Sequence, residues 1–292
     1  MKHLQIIFSI TALILLQVQN AYSQVVVSSA MSKKQYVAYE DVKLNVTMTN
    51  RAGQPIDFVN KLGRKWVEFV IEKQGGQPVF KMTNAVFAPM RLNTGETKTS
   101  SFRLNDSHDL TQPGNYTAYA VVRTPGQGAG EGMRSKKVSF TVIKGHVSWK
   151  QRAGVAGAPG DTREYRLMSV AAGEHINLFV QVEDVKRGKM LATYSMGRNL
   201  AFRNYKATLD SRSRMHVLFL TSPTIYCHTV VDASGKTVRR AYHKKGGGGA
   251  IPNLVTTGNG VVGVVGSTPY DPEKEKDLRS KIHNLSELPL GL

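Results

Sequence analysis

Cysteine is all but missing from this chain of 292 residues: Cys227 stands alone. No intramolecular disulfide can form, so each domain must be held by its own apolar core. A single thiol between Tyr226 and His228 reads most simply as a buried, inert side chain. Acidic residues are scarce too, 21 against 39 lysines and arginines, for a net charge of +18. That imbalance favours acidic partners such as anionic glycans, lipid headgroups or nucleic acid, and says nothing about the fold. No apolar run is long enough to span a bilayer, which needs roughly 20 residues. Also missing are a Gly-x-Ser-x-Gly elbow, a His-Glu-x-x-His helix and a phosphate loop. No catalytic residue, cofactor or metal site is therefore assigned from the sequence.

What is present begins with an export pattern. Lys2 precedes an apolar run, Ile6 to Leu16, broken only by Ser9 and Thr11. Ala21 and Ser23 then occupy the small-residue places of a cleavage site before Gln24. Residues 1–23 are expected to be a signal peptide, and the protein to act in the periplasm, at the cell surface or outside the cell. Removing them leaves 269 residues with a net charge of +17, enough for two domains and without a membrane span.

Residues 24–143 alternate as half-buried strands do. Val42, Leu44, Val46 and Met48 are interleaved with Lys43, Asn45 and Thr47, the period-two signature. Trp66 to Ile71, Phe102 with Leu104, Tyr116 to Val122, and Val138 with Phe140 and Val142 continue the series. Short strands at this spacing predict a β-sandwich. The segment Asp109-Leu110-Thr111-Gln112-Pro113-Gly114-Asn115-Tyr116 resembles the turn into a late strand of bacterial exported immunoglobulin-like or fibronectin-like domains. That resemblance implies a tyrosine corner at Tyr116, its hydroxyl bonding back to the backbone. The glycine-rich segment from Arg123 to Gly132 is expected to be a flexible hairpin loop.

A second, basic antiparallel β domain is expected over residues 144–270. Ile176, Leu178, Val180 and Val182 alternate, Val185 to Gly188 turn, and Met190 to Tyr194 return. Val217–Leu220, Tyr226–Val231 and Thr237–Tyr242 follow as three consecutive antiparallel strands. Leu209-Asp210 followed by Met215-His216-Val217-Leu218-Phe219, with the turn Val231 to Lys236, resembles sialidase-type β-propeller blades. The span holds only two or three blades, so a propeller-like open sheet or a second sandwich is expected. Its open edges leave room for a homodimer. In the tail, 271–292, Asp271 and Pro272 can start a short helix with Leu278, Ile282 and Leu285 on one face.

Some motifs dissolve on inspection. Gly258-Asn259-Gly260-Val261-Val262-Gly263 has dinucleotide-site spacing, but the β-branched, proline-stopped residues after it cannot open the helix that site needs. His216, His228 and His243 lie on or beside adjacent strands; a simple hairpin register puts His216 and His228 on one face and Cys227 on the other. Two ligands on one face fall short of a zinc site. Asp161, Glu164, Glu183, Asp184 and Asp210 are acids without visible convergence.

The positive charge is concentrated in residues 144–270, with 18 basic and 7 acidic residues, a net of +11. Arg198, Arg203, Tyr205, Lys206, Arg212 and Arg214 mix cations with aromatics around Phe202. So do Arg239, Arg240, Tyr242, Lys244 and Lys245, which run into Gly246 to Gly249, a segment expected to stay mobile until a partner orders it. These eleven residues are the candidates for partner contact. The partner expected is an acidic macromolecule: a polysaccharide, an envelope component or a protein. Export argues against nucleic acid. The leading reading is an exported, non-catalytic binding or scaffold protein. The alternatives are a glycan-active enzyme or enzyme subunit, and a protease-inhibitor-like module acting through the 123–134 loop.

Overall fold

The computed structural model describes residues 25–285 other than 62, 126–130, 173–174 and 201–203. The expected signal peptide and the tip of the 123–134 loop lie outside the described residues. Strands take up 60% of the chain and helix 5%, the all-β class that period-two patterning requires. No described helix is long and apolar enough to cross a membrane. The chain divides into two compact units. One is residues up to Tyr36 with Asp41–Ile143; the other is Val37–Glu40 with residues from Lys144 onward.

The described residues of the first unit form ten strands. They are β1 (Val25–Met31), β2 (Gln35–Val37), β3 (Lys43–Asn50), β4 (Ile56–Phe58), β5 (Val67–Lys73), β6 (Met90–Leu92), β7 (Thr97–Arg103), β8 (Gly114–Val122), β9 (Met133–Arg134) and β10 (Val138–Ile143). Two sheets, ordered β1-β3-β7 and β2-β10-β8-β5, carry the unit, with β4 and β6 as a separate pair. Alternation sets which side of β3 is hidden: Leu44, Val46 and Met48 are fully buried. Rings join the two sheets, since Phe102 on β7 lies 5.2 Å from Phe69 on β5 and 6.0 Å from Trp66. Tyr116 forms its corner, its hydroxyl donating to the Gln112 carbonyl at 2.5 Å while its ring stacks on Phe140.

The second unit is built from two meanders. β11 (His146–Val155), β12 (Ala158–Ala172), β13 (His175–Asp184) and β14 (Lys189–Asn199) form a four-stranded antiparallel sheet in chain order. The other sheet is ordered β15 (Lys206–Leu209), β16 (Met215–Ser222), β17 (Ile225–Val231), β18 (Thr237–Lys245) and β21 (Ser267–Tyr270). Tyr165, Leu167, Leu178, Val180 and Val182 from the first sheet share one core with Met215, Val217, Phe219, Cys227 and Val231 from the second. Of the two arrangements left open above, the sheets therefore take that of a second stacked pair.

The β16–β17 hairpin is buried on both faces, which is why its sequence is almost continuously apolar. Its outer face is covered by β19 (Asn253–Thr256) and β20 (Val262–Val265), with Leu254 and Val264 packed on Leu218, Leu220 and Tyr226. The Gly258–Gly260 motif is the turn of this β19–β20 hairpin, closed by Thr257 N–H to Val261 O at 2.9 Å. The tail forms α1 (Pro272–Leu285). Asp271 caps it, its carboxylate accepting from the Glu273 and Lys274 amides. The side chains of Leu278, Ile282 and Leu285 lie outside the described residues.

Candidate functional site

The outer face of the second sheet carries a cavity of about 530 Å³. Its floor is a diagonal across three strands, Lys206 of β15, Leu218 of β16 and Tyr226 of β17, with Lys245 at the end of β18 beside it. Lys206 pairs with Leu218 in the ladder, so both side chains leave the sheet on the same side. Ile251 and Pro252 form a wall, placed there by the glycine run before them. Gly247–Gly249 makes a tight 3₁₀ turn, with the Gly246 amide bonded to both Ala250 O and Gly266 O. A Cβ on Gly246 would come within 3.0 Å of the Gly266 backbone, so this close approach favours glycine at that position. Within the segment expected to be mobile, Gly246 closes onto Gly266, while Gly247, Gly248 and Gly249 are exposed.

Tyr226 is 5% exposed, yet its hydroxyl is buried without a hydrogen-bond partner. Leaving such a group unpaired costs roughly 1–3 kcal/mol, and buried polar groups in native proteins are nearly always paired. Lys206 and Lys245 are exposed at the cavity, and neither has an ion-pair partner among the described residues. The cavity therefore offers two cations, the Asn204 amide and one hydroxyl, with Leu218, Pro223, Ile251 and Pro252 as its apolar part.

Next to it, on the same face, runs a row of imidazoles. The β16–β17 register sets Leu218 opposite His228 and His216 opposite Val230, so both histidines face outward while Cys227 faces the inner core. His216 Nδ1 and His228 Nε2 are 3.1 Å apart, and His216 Nε2 meets Asp210 Oδ2 at 3.1 Å. His243 on β18 stacks obliquely at 6.2 Å from His228 and bonds Ser267 Oγ through Nδ1; its buried Nε2 is unpaired. Burial pushes His228 down to about 4, with the charges of His216 and Arg239 adding to it. His216 and His243 are also lowered, chiefly by burial. Among the described residues no group of three His, Cys, Asp or Glu side chains is arranged to hold a metal ion.

Asp210 organises the turn before β16. Burial opposes its charge, but amide and guanidinium bonds from Arg214 and the bond from His216 hold its carboxyl below the usual carboxylate range. Oδ1 accepts from the Arg212 and Arg214 amides, and Oδ2 from Arg214 Nε at 2.7 Å. The other acids are similarly engaged. Asp161 and Asp184 sit among Arg163 and Arg187, while Arg166 bridges Glu164 and Glu183. Glycoside hydrolysis uses two carboxylates that flank the scissile bond; these five each lie at ion-pair distance from a cation.

The structure separates the eleven candidate contact residues. Lys206, Lys245 and Arg239 share the outer face of the second sheet, with Arg239 opposite Val230. Arg240 faces the other way and donates to the Met196 carbonyl at 2.9 Å. Tyr205 and Tyr242 pack against the inner core. Lys244 is taken up by Glu275 at 3.3 Å and the Tyr270 ring at 4.4 Å. Arg214 belongs to Asp210, Arg212 is exposed on its turn, and Arg198 is exposed on β14. Arg203 and Phe202 lie outside the described residues. Sequence reasoning missed Tyr226, Ile251 and Pro252 as site residues; the proline-bounded glycine run beside two lysines was the only available signal.

The fold and this face define an all-β protein of many antiparallel sheets. No protein-family model matches the chain, and no curated protein sequence matches it. Among solved structures it is similar to Spo0M, a sporulation control protein from Bacillus subtilis. The identity is 10% and the TM-score 0.28, over 60% of this chain and 91% of that one.

Proposed function

We propose that this is an exported, non-catalytic binding protein whose second unit contacts an acidic polysaccharide. The first unit would serve as an immunoglobulin-like spacer, supported by its strand order and the Tyr116 corner. The observation that carries the reading is the pairing pattern of the second unit. Asp161, Glu164, Glu183, Asp184 and Asp210 are all ion-paired. Arg198, Lys206, Arg212, Arg239 and Lys245 have no carboxylate at ion-pair distance among the described residues. Three of these cations share one sheet face, where the positive potential is left for a partner to neutralise.

The test is retention of polygalacturonate against neutral dextran by the chain lacking residues 1–23, across a salt series. Retention of the polyanion alone, falling steeply with salt and weakened in a triple Lys206→Ala, Arg239→Ala, Lys245→Ala variant, is expected. Equal retention of dextran, or binding indifferent to salt, would overturn the reading.

A further inference from the structure

We propose that the cavity between the second sheet and the Ala250–Pro252 wall is a binding site for a small organic carboxylate with a flat apolar body. The volume, about 530 Å³, lies within the range of small-molecule pockets, which combine apolar walls with a few placed polar groups. Leu218, Ile251 and Pro252 supply the walls, Lys206 and Lys245 the charge. Tyr226, which lines the cavity, supplies a buried hydroxyl left without a hydrogen-bond partner, the donor for the ligand.

The chemistry of the lining selects the anion. Phosphate sites favour guanidinium forks, helix N-termini or nests of backbone amides. Among the described residues that line the cavity there is no arginine and no helix start. Two ammonium groups and one hydroxyl match two carboxylate oxygens, and Leu218, Pro223, Ile251 and Pro252 offer apolar surface to a flat ring. The site is therefore distinct in ligand class from a polysaccharide-binding face, and stands whether or not that face binds.

The glycine turn explains how the site is kept open. Gly266 has φ +65° and a Cβ there would sit 3.0 Å from Ile251 O, so this close approach holds the wall at a set distance from the sheet. The wall is carried by backbone rather than by long side chains, which suits a cavity already formed before its ligand arrives.

The experiment uses the chain without residues 1–23 and titrates 2-naphthoate, its neutral amide and inorganic phosphate, read by calorimetry and by naphthoate fluorescence. Millimolar or tighter binding of 2-naphthoate is expected, with the amide at least about tenfold weaker and phosphate weaker still. Lys206→Gln and Lys245→Gln should each lower naphthoate affinity severalfold. Tyr226→Phe, which keeps the ring and removes only the hydroxyl, should do the same. Ile251→Trp, at an exposed position, should fill the cavity and abolish binding, while Lys244→Gln should leave it unchanged. Circular dichroism of each variant reports its folding. Equal affinity for naphthoate and its amide, no binding of naphthoate, or binding that survives Ile251→Trp would overturn the proposal. Polygalacturonate retention read in parallel separates this outcome from the fate of the polysaccharide reading.

Discussion

His216 and His228 stand on neighbouring strands with ring nitrogens 3.1 Å apart, and both are almost entirely buried. Two imidazoles this close cannot both be protonated without strong repulsion. At most one of the two rings therefore carries a second proton, and across the contact one nitrogen donates while the other accepts. Asp210 orients it from one side, and the guanidinium groups of Arg214 and Arg239 add positive potential around it.

That pairing sets a pH dependence. Burial holds His228 at about 4 against 6.5 for the free side chain, so the unfolded chain takes up a proton that the folded chain refuses. Stability is expected to be flat in this term above pH 6.5 and to fall as pH drops from 6.5 towards 4. The term is at most roughly 3 kcal/mol. Urea unfolding across that interval, compared with His228→Asn, checks it: the variant should lose less stability than the parent.

Tyr116 ties the turn before β8 through a single hydroxyl. Tyr116→Phe keeps the stacked ring on Phe140 and removes the bond to Gln112 O. A loss of about 1 kcal/mol is expected, measured as a lower urea midpoint at unchanged slope.

Gly235 and Gly188 both sit at turns with positive φ, 86° and 58°, but only one is crowded. A Cβ at Gly235 would overlap Ala192 Cβ, whereas nothing lies within 4 Å of one at Gly188. Gly188→Ala should cost about 1 kcal/mol from backbone strain alone. Gly235→Ala adds overpacking and should cost about 2–5 kcal/mol. Thermal unfolding of the two variants should show the difference, and equal losses would contradict it.

Cys227 is buried in the inner core and burial pushes its thiol up. An aromatic disulfide reagent at pH 8 should label the folded protein on the order of 100-fold or more slowly than the unfolded one. Fast labelling of the native state would place the thiol in contact with solvent.

The hairpin from Ile176 to Tyr194 and the buried side of β3 could be read from alternation, because burial of one face imposes a period of two. β12 was less legible: Arg163, Glu164 and Arg166 interrupt its pattern. On the folded sheet each charge is met from a neighbouring strand, Arg166 by Glu183 and Gln181, Arg163 by Asp184 and Glu164 by Arg152, and the strand runs for fifteen residues. The cavity was harder still. Lys206 and Lys245 are far apart in sequence, and Tyr226 reads as one more apolar strand residue until its hydroxyl is seen to lack a partner.

The amino-acid order by itself determined the all-β class, the absence of disulfide support and the excess of positive charge, since these follow from residue counts and local periodicity. Tertiary structure alone decided that two meanders share one core, which cations keep a free charge, and that Tyr226 and two lysines line one cavity. Those outcomes depend on contacts between strands distant along the chain, and such contacts are set by packing and register, which no local window contains.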